Sequence, residues 1–158
     1  FVKNINYVFM FKEEYRKKAM LIFMPQFEIF CEFNRSEPIS IPSYWIGRVI
    51  LLSFTCEIGL KAITVYEGKK FLRIHKLDEL FTCLSPSTKN ILYAKTTYPR
   101  DEFLKQIKEN NNHFEKWRYY FDGCESANIQ FLEMLLGSIA EILLPPEYLK
   151  QLFPKLSI

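Results

Sequence analysis

The stretch from Trp45 to Gly68, WIGRVILLSFTCEIGLKAITVYEG, constrains this chain more than any other. It is apolar almost all the way round, with one polar line, Glu57, Lys61 and Thr64, at helical spacing. A helix apolar on every side belongs at the centre of a bundle. Its polar line then faces either solvent or a shared internal groove. Ser43 is a suitable N-cap and Gly68 a natural stop, with Lys69 and Lys70 beyond it where the helix dipole favours positive charge.

The rest of the chain reads as helices round this one. Strand-type alternation is rare and only five glycines are present among 158 residues, so the fold class is all-α. We expect an up-and-down bundle of about five to seven helices. Residues 7–33 read as helix with an interruption. Tyr7, Met10, Phe11 and Tyr15 share one face, Pro25 forces a kink or restart, and Met24, Phe27, Phe30 and Cys31 continue the apolar face. Residues 34–43 form a connector with Pro38 and Pro42. A short helix is expected from about His75 to Leu84, with Leu77, Leu80, Phe81 and Leu84 on one side. Ser85 and Pro86 start another, which is expected to turn Ile91, Leu92 and the stem of Lys95 inward. After a loop around Pro99, Asp101 caps a helix with Phe103, Leu104 and Ile107 inside. Asn110 to Asn112 mark a break or an exposed turn. Phe114, Trp117 and Phe121 resume the pattern up to Gly123. Ser126 or Asn128 opens the last long helix, whose stripe is Ile129, Leu132, Leu136, Ile139 and Leu143. Pro145 and Pro146 end it, and PEYLKQLF packs back as a final turn.

One domain accounts for the whole of 1–158: a helical extension over 1–36, a core over 44–144 and a C-terminal turn over 145–158. The net charge of +3 spreads 21 Lys and Arg among 18 acids, which permits nucleic-acid contact without predicting it. Cysteines stand at 31, 56, 83 and 124 with no CxxC pair, and His75 and His113 do not complete a zinc spacing. Buried free thiols, a reducing cytoplasmic setting, no metal and no cofactor are the expectation. No stretch reaches roughly 18 uncharged residues, so no membrane span is expected.

Three pieces in order carry chemistry: Glu57-x3-Lys61 on the central helix, HKLDELF from His75 to Phe81, and N-x-F-x-x-W-R-Y from Asn112 to Tyr119. Together they resemble the HEPN superfamily, small helical bundles associated with prokaryotic toxin–antitoxin and defence systems and with minimal nucleotidyltransferases. The resemblance covers roughly 44–144. It implies a bundle that is often a homodimer, and partners such as a nucleotidyltransferase, an antitoxin, RNA or a nucleotide. Many such proteins are metal-independent ribonucleases that use an Arg followed after four to six residues by a His. Arg steadies phosphate charge through its planar fork and His moves a proton near neutral pH.

This chain departs from that motif. Arg118 matches the arginine, but Gly123, Cys124 and Glu125 stand where the His belongs. Lys70 and Lys108 precede His75 and His113 at the right distance without offering a guanidinium fork. The expectation is therefore a binding module with Glu57, Lys61, His75, Arg118 and Tyr119 as its site. The alternative is a ribonuclease with a non-standard site around Arg118 and His75. Each residue also has a plain reading. Glu57 and Lys61 make an ordinary i,i+4 pair, or Glu57 pairs with Arg118 across a groove. His75 caps its helix or anchors the preceding connection. Trp117 and Phe121 are core, which leaves Tyr119 and Tyr120 for the surface.

Overall fold

In a computed structural model the chain is described over residues 2–36, 41–111 and 127–152. The described residues form seven helices and no strand: α1 (Val2–Arg35), α2 (Ile41–Tyr66), α3 (Leu77–Thr82), α4 (Pro86–Thr96), α5 (Arg100–Glu109), α6 (Ile129–Leu143) and α7 (Pro146–Leu152). The all-α bundle expected from the sequence is observed. The expected elements over 112–126, including Trp117 to Phe121, lie outside the described residues, as do the side chains of Tyr7, Met10 and Phe11.

α2 is the hub. It packs along α1 on one side and α6 on another, and it also touches α3. Leu52, Cys56, Leu60 and Ile63 are fully enclosed. Gly59 of α2 lies against both α1 and α6. A methyl group added there would lie 2.5 Å from Cγ2 of Ile139 and 3.0 Å from the Phe23 ring, so no side chain fits without displacing one of them. The Cys56 thiol reaches the Leu132 carbonyl at 3.4 Å, a second close seam between α2 and α6. By length and composition, 44–66 could cross a membrane, but 72% of its most apolar window is buried inside the bundle.

The far end of α2 closes as its sequence demands. Gly68 adopts φ +79°, a left-handed conformation that costs glycine little. Its N–H donates to the Val65 carbonyl and that of Lys69 to the Thr64 carbonyl, which satisfies the last turn by a Schellman pattern. The start differs from expectation. α2 begins at Ile41, so Ser43 lies within the first turn rather than at the cap. Pro42, which was read as part of the connector, falls in that turn, where its missing N–H costs nothing.

α1 is also longer and more continuous than expected. It runs for 34 residues with Pro25 inside it and does not restart. Proline removes one helical hydrogen bond and crowds the preceding turn, at a cost of roughly 3 kcal/mol. Burial on both sides offsets that cost, since Phe23 and Phe27 flank Pro25 and both are enclosed. Their rings stack with centroids 5.1 Å apart.

The smaller helices are joined by aromatic rings. Phe81 of α3, Tyr93 of α4, Phe103 of α5 and Phe131 of α6 form one cluster. Phe103 is its centre, 5.0 Å from Phe81, 4.9 Å from Tyr93 and 5.4 Å from Phe131. The contacts to Tyr93 and Phe131 are edge-on and that to Phe81 is tilted, and aromatic pairs of this kind add about 0.5–1.5 kcal/mol each beyond area burial. Ser85 caps α4 as expected, accepting from the Thr88 N–H at 3.3 Å. Two expected inward residues point out instead, Ile91 and Leu104, because Leu92 and the pair Phe103 and Ile107 already fill those seams. Lys95 lies at the surface and pairs with Glu141. α5 begins at Arg100 after Pro99, so Asp101 sits in its first turn without capping it.

Asn110 ends α5 and is buried, not an exposed turn residue. Its amide nitrogen donates to the Gln106 carbonyl at 2.8 Å, and its oxygen accepts from the Asn128 N–H at 3.0 Å. Asn128 in turn caps α6, accepting from Phe131 N–H at 3.0 Å. The stripe expected on α6 is buried except at Ile129, which is partly covered. α7 packs back as expected, with Leu149 buried and the Tyr148 hydroxyl donating to Glu28 of α1.

Candidate functional site

The polar line on α2 faces inward. Glu57, Lys61 and Thr64 are 2%, 3% and 0% exposed, so the line faces the interior of the bundle and not solvent. Lys61 Nζ donates to Glu57 Oε1 at 2.6 Å. The Thr64 hydroxyl donates to the Lys61 carbonyl at 2.7 Å and so is satisfied within its own helix. The i,i+4 pair is therefore real but fully desolvated. That makes it a different object from the exposed pair worth a few tenths of a kcal/mol.

The chain returns to this pair through the connector 69–76, Lys-Lys-Phe-Leu-Arg-Ile-His-Lys. His75 lies at the end of that connector, and α3 starts only at Leu77 after the uncapping residue Lys76. His75 therefore does not cap the helix. Its Nδ1 is 3.0 Å from Glu57 Oε1. A carboxylate can only accept, so Nδ1 carries the proton of this bond and Nε2 is left for other partners. The imidazole is over half exposed while its anchor is buried. This is the arrangement that fixes a histidine's tautomer and ring orientation from below.

Phe71 covers the pair from the same connector. Its ring lies 5.5 Å from Lys61 Nζ, a cation–π contact, yet the residue is 47% exposed. A buried ammonium thus has both a carboxylate and an aromatic face as neighbours, and both stabilise its charge.

The connector itself carries Lys69, Lys70, Arg73 and Lys76 without an acid. Two of these are held. Lys69 pairs with Glu67 at 2.6 Å and also donates to the Cys83 carbonyl, and Lys76 pairs with Glu79 at 2.8 Å. Lys70 and Arg73 are exposed and find no ion-pair partner among the described residues. Glu67 braces the other end of the connector. It accepts from the Ser85 N–H at 3.0 Å and the Thr88 hydroxyl at 2.6 Å. Burial pushes the Glu67 carboxyl up, but the hydrogen bonds from Lys69, Thr88 and Ser85 outweigh it and hold the group below its ordinary value.

Of the five residues expected at the site, Glu57, Lys61 and His75 converge. Arg118 and Tyr119 lie outside the described residues, as does the Glu57–Arg118 pairing. The sequence reading singled out neither Phe71 nor Arg73 as site residues. The signal for them was the run of basic residues with an aromatic inside it, between two helices.

Other reactive groups are separate from this site. Cys31 and Cys56 are buried free thiols, as expected, and Cys83 is free and half-buried. Burial pushes Cys31 up to about 11 and Cys56 higher still, so neither is a nucleophile near neutral pH. Among the described residues no group of three or more His, Cys, Asp or Glu side chains is placed to hold a metal ion. No family model, curated protein or solved structure matches this chain, so its function is argued from the site's own residues.

Proposed function

We propose that this chain is a HEPN-like helical module, in an up-and-down arrangement, that binds single-stranded RNA or a nucleotide's phosphates along the connector 69–76 and does not rely on cleavage for its role. One observation carries the reading: a basic connector with an exposed ring is pinned to the bundle core through His75 and Phe71 over the buried Glu57–Lys61 pair. Lys70 and Arg73 supply phosphate contacts, and Phe71 supplies a ring for base stacking. His75 offers Nε2 at the same surface. Pinning matters because a flexible basic loop must lose conformational entropy when it binds, and an anchored one has already lost it. In this reading the module self-associates and works in the cytoplasm beside a toxin–antitoxin or defence partner, such as a nucleotidyltransferase or an antitoxin.

The test is fluorescence anisotropy with a labelled single-stranded RNA across a salt series. Wild-type protein should bind with a salt-dependent affinity. Lys70→Ala and Arg73→Ala should each weaken binding and lower the salt slope by about one. Binding that is unchanged in both variants would refute the connector as the contact surface.

A second reading, a ribonuclease built on His75 and Arg118, draws support from the Glu57–His75 bond, which orients an imidazole in the way a general base needs. Mixed RNA incubated with wild type, His75→Ala and Arg118→Ala separates the two. Cleavage lost in both variants would favour the enzyme.

A further inference from the structure

Exposure alternates along the connector that follows α2. Phe71, Arg73 and His75 are exposed, while Leu72 and Ile74 between them are partly buried and packed against the core. A period of two marks an extended chain with one side seated on the bundle. Arg73 and His75 therefore share the outer side, about 7 Å apart at two residues' rise. Between Lys69 and Lys76 the connector holds no acid that would compete for Arg73.

The His75 ring is held at one nitrogen and open at the other. Nδ1 lies 3.0 Å from Glu57 Oε1, and the histidine side chain is 56% exposed against 3% for the glutamate. With the proton on Nδ1, the lone pair of the neutral imidazole stands on Nε2. That atom is an oriented nucleophile at the surface, and a carboxylate beneath the ring balances any positive charge that develops on it. Beside it stands a guanidinium, whose planar fork matches the oxygens of a phosphoryl group.

The geometry points to His75 as a phosphoryl acceptor, which takes a phosphoryl group at Nε2 from a small acyl phosphate. The Nε2 lone pair forms the N–P bond while the P–O bond of the donor breaks. The electron pair of that bond leaves with the carboxylate, which needs no proton to depart. Nothing is oxidised or reduced. The Nδ1 proton stays between the ring and Glu57, and Arg73 holds the phosphoryl oxygens. The product carries about −1.5 to −2 of new charge at the connector. Where the connector binds RNA, that charge engages Arg73 and Lys70 and releases the strand. This consequence rests on the binding reading, whereas the modification itself does not.

The full chain incubated with acetyl phosphate at neutral pH, followed by intact mass and by peptide fragmentation, tests it. Wild type should gain the mass of one phosphoryl group at His75, in a linkage that survives base and is lost in acid. Phosphorus resonance should place it on Nε2. His75→Asn should gain none at this position. Arg73→Ala should slow the reaction about tenfold, as should Glu57→Gln combined with Lys61→Met, which removes the carboxylate without stranding the ammonium. The wild-type chain in concentrated urea, where His75 has lost both neighbours, should also react about tenfold more slowly. No phosphoryl group on His75 overturns the inference. So does a group on Nδ1, or a rate in urea equal to that of the folded protein. RNA binding that fails in a protein still phosphorylated at His75 would count against the binding reading alone.

Discussion

Removing the Glu57 carboxylate should be among the most damaging single changes at any polar position in this protein. Lys61 and Glu57 are 3% and 2% exposed, and Lys61 Nζ has Glu57 Oε1 as its hydrogen-bond acceptor at 2.6 Å. Glu57→Ala strands an ammonium among apolar side chains and also leaves His75 Nδ1 without its acceptor. Breaking a buried pair by removing one partner costs about 3–5 kcal/mol. A domain of this size is stable by roughly 5–15 kcal/mol, so the variant loses a large share of its margin. The same physics predicts the opposite for a joint replacement. Glu57→Leu with Lys61→Met removes both charges and fills similar volume, and should range from neutral to more stable by about 1–4 kcal/mol. The assay is urea unfolding of wild type, Glu57→Ala, the matching singles Glu57→Leu and Lys61→Met, and their double, followed by the helical signal, with the slopes compared to check that the same surface is exposed. The coupling should be strong, with the double far less damaging than either single. A Glu57→Ala cost below about 1 kcal/mol, or singles that simply add in the double, would refute a desolvated pair at this position.

Further outcomes follow from other sites. Pro25→Ala should raise stability by about 1–3 kcal/mol in thermal melts, because Pro25 is exposed and an N–H is regained inside a continuous helix. Asn110→Ala should cost about 1–3 kcal/mol in denaturant, because the Asn128 N–H loses its acceptor between α5 and α6. Glu67 is held below its ordinary value of 4.5, so its contribution is complete above that pH and is lost as pH falls through the lowered value in the folded state. The stability gap between wild type and Glu67→Gln, measured from neutral to acid pH, should therefore shrink on acidification. Thiol alkylation of the native protein should reach Cys83 before Cys31 or Cys56, since burial raises the latter two.

Much of the fold was legible because α2 leaves few choices. A helix apolar all round must be surrounded, and Gly68 and Ser85–Pro86 mark boundaries by backbone chemistry that tertiary contacts rarely override. What misled were residues whose local preference was outweighed. Pro25 argued for a kink or a restart, and the helix does not restart, because the burial of Phe23 and Phe27 holds it through the proline. Ile91 and Leu104 argued for burial by type, yet position on the helix decided. Of the two readings of Asn110, a break or an exposed turn, the break holds, since α5 ends there, but the residue is a buried link between two helices. At the site, the spacing of Glu57 and Lys61 was plain, but spacing cannot say whether a polar line faces water or a groove. The approach of His75 to Glu57 depends on how the connector folds back, and no local pattern encodes that. The helix and C-terminal turn carry fewer such conflicts, and there the sequence reading and the observed elements agree.

Everything proposed for function rests on the pinned connector 69–76 being the binding surface. Titrating isotopically labelled protein with a short single-stranded RNA and following amide and imidazole resonances tests it most directly. Progressive shifts are expected at Lys70, Phe71 and Arg73 and at the His75 ring, with the enclosed centre of α2 around Leu60 unmoved. Saturable shifts confined to other surfaces, with the connector and His75 unchanged, would contradict it.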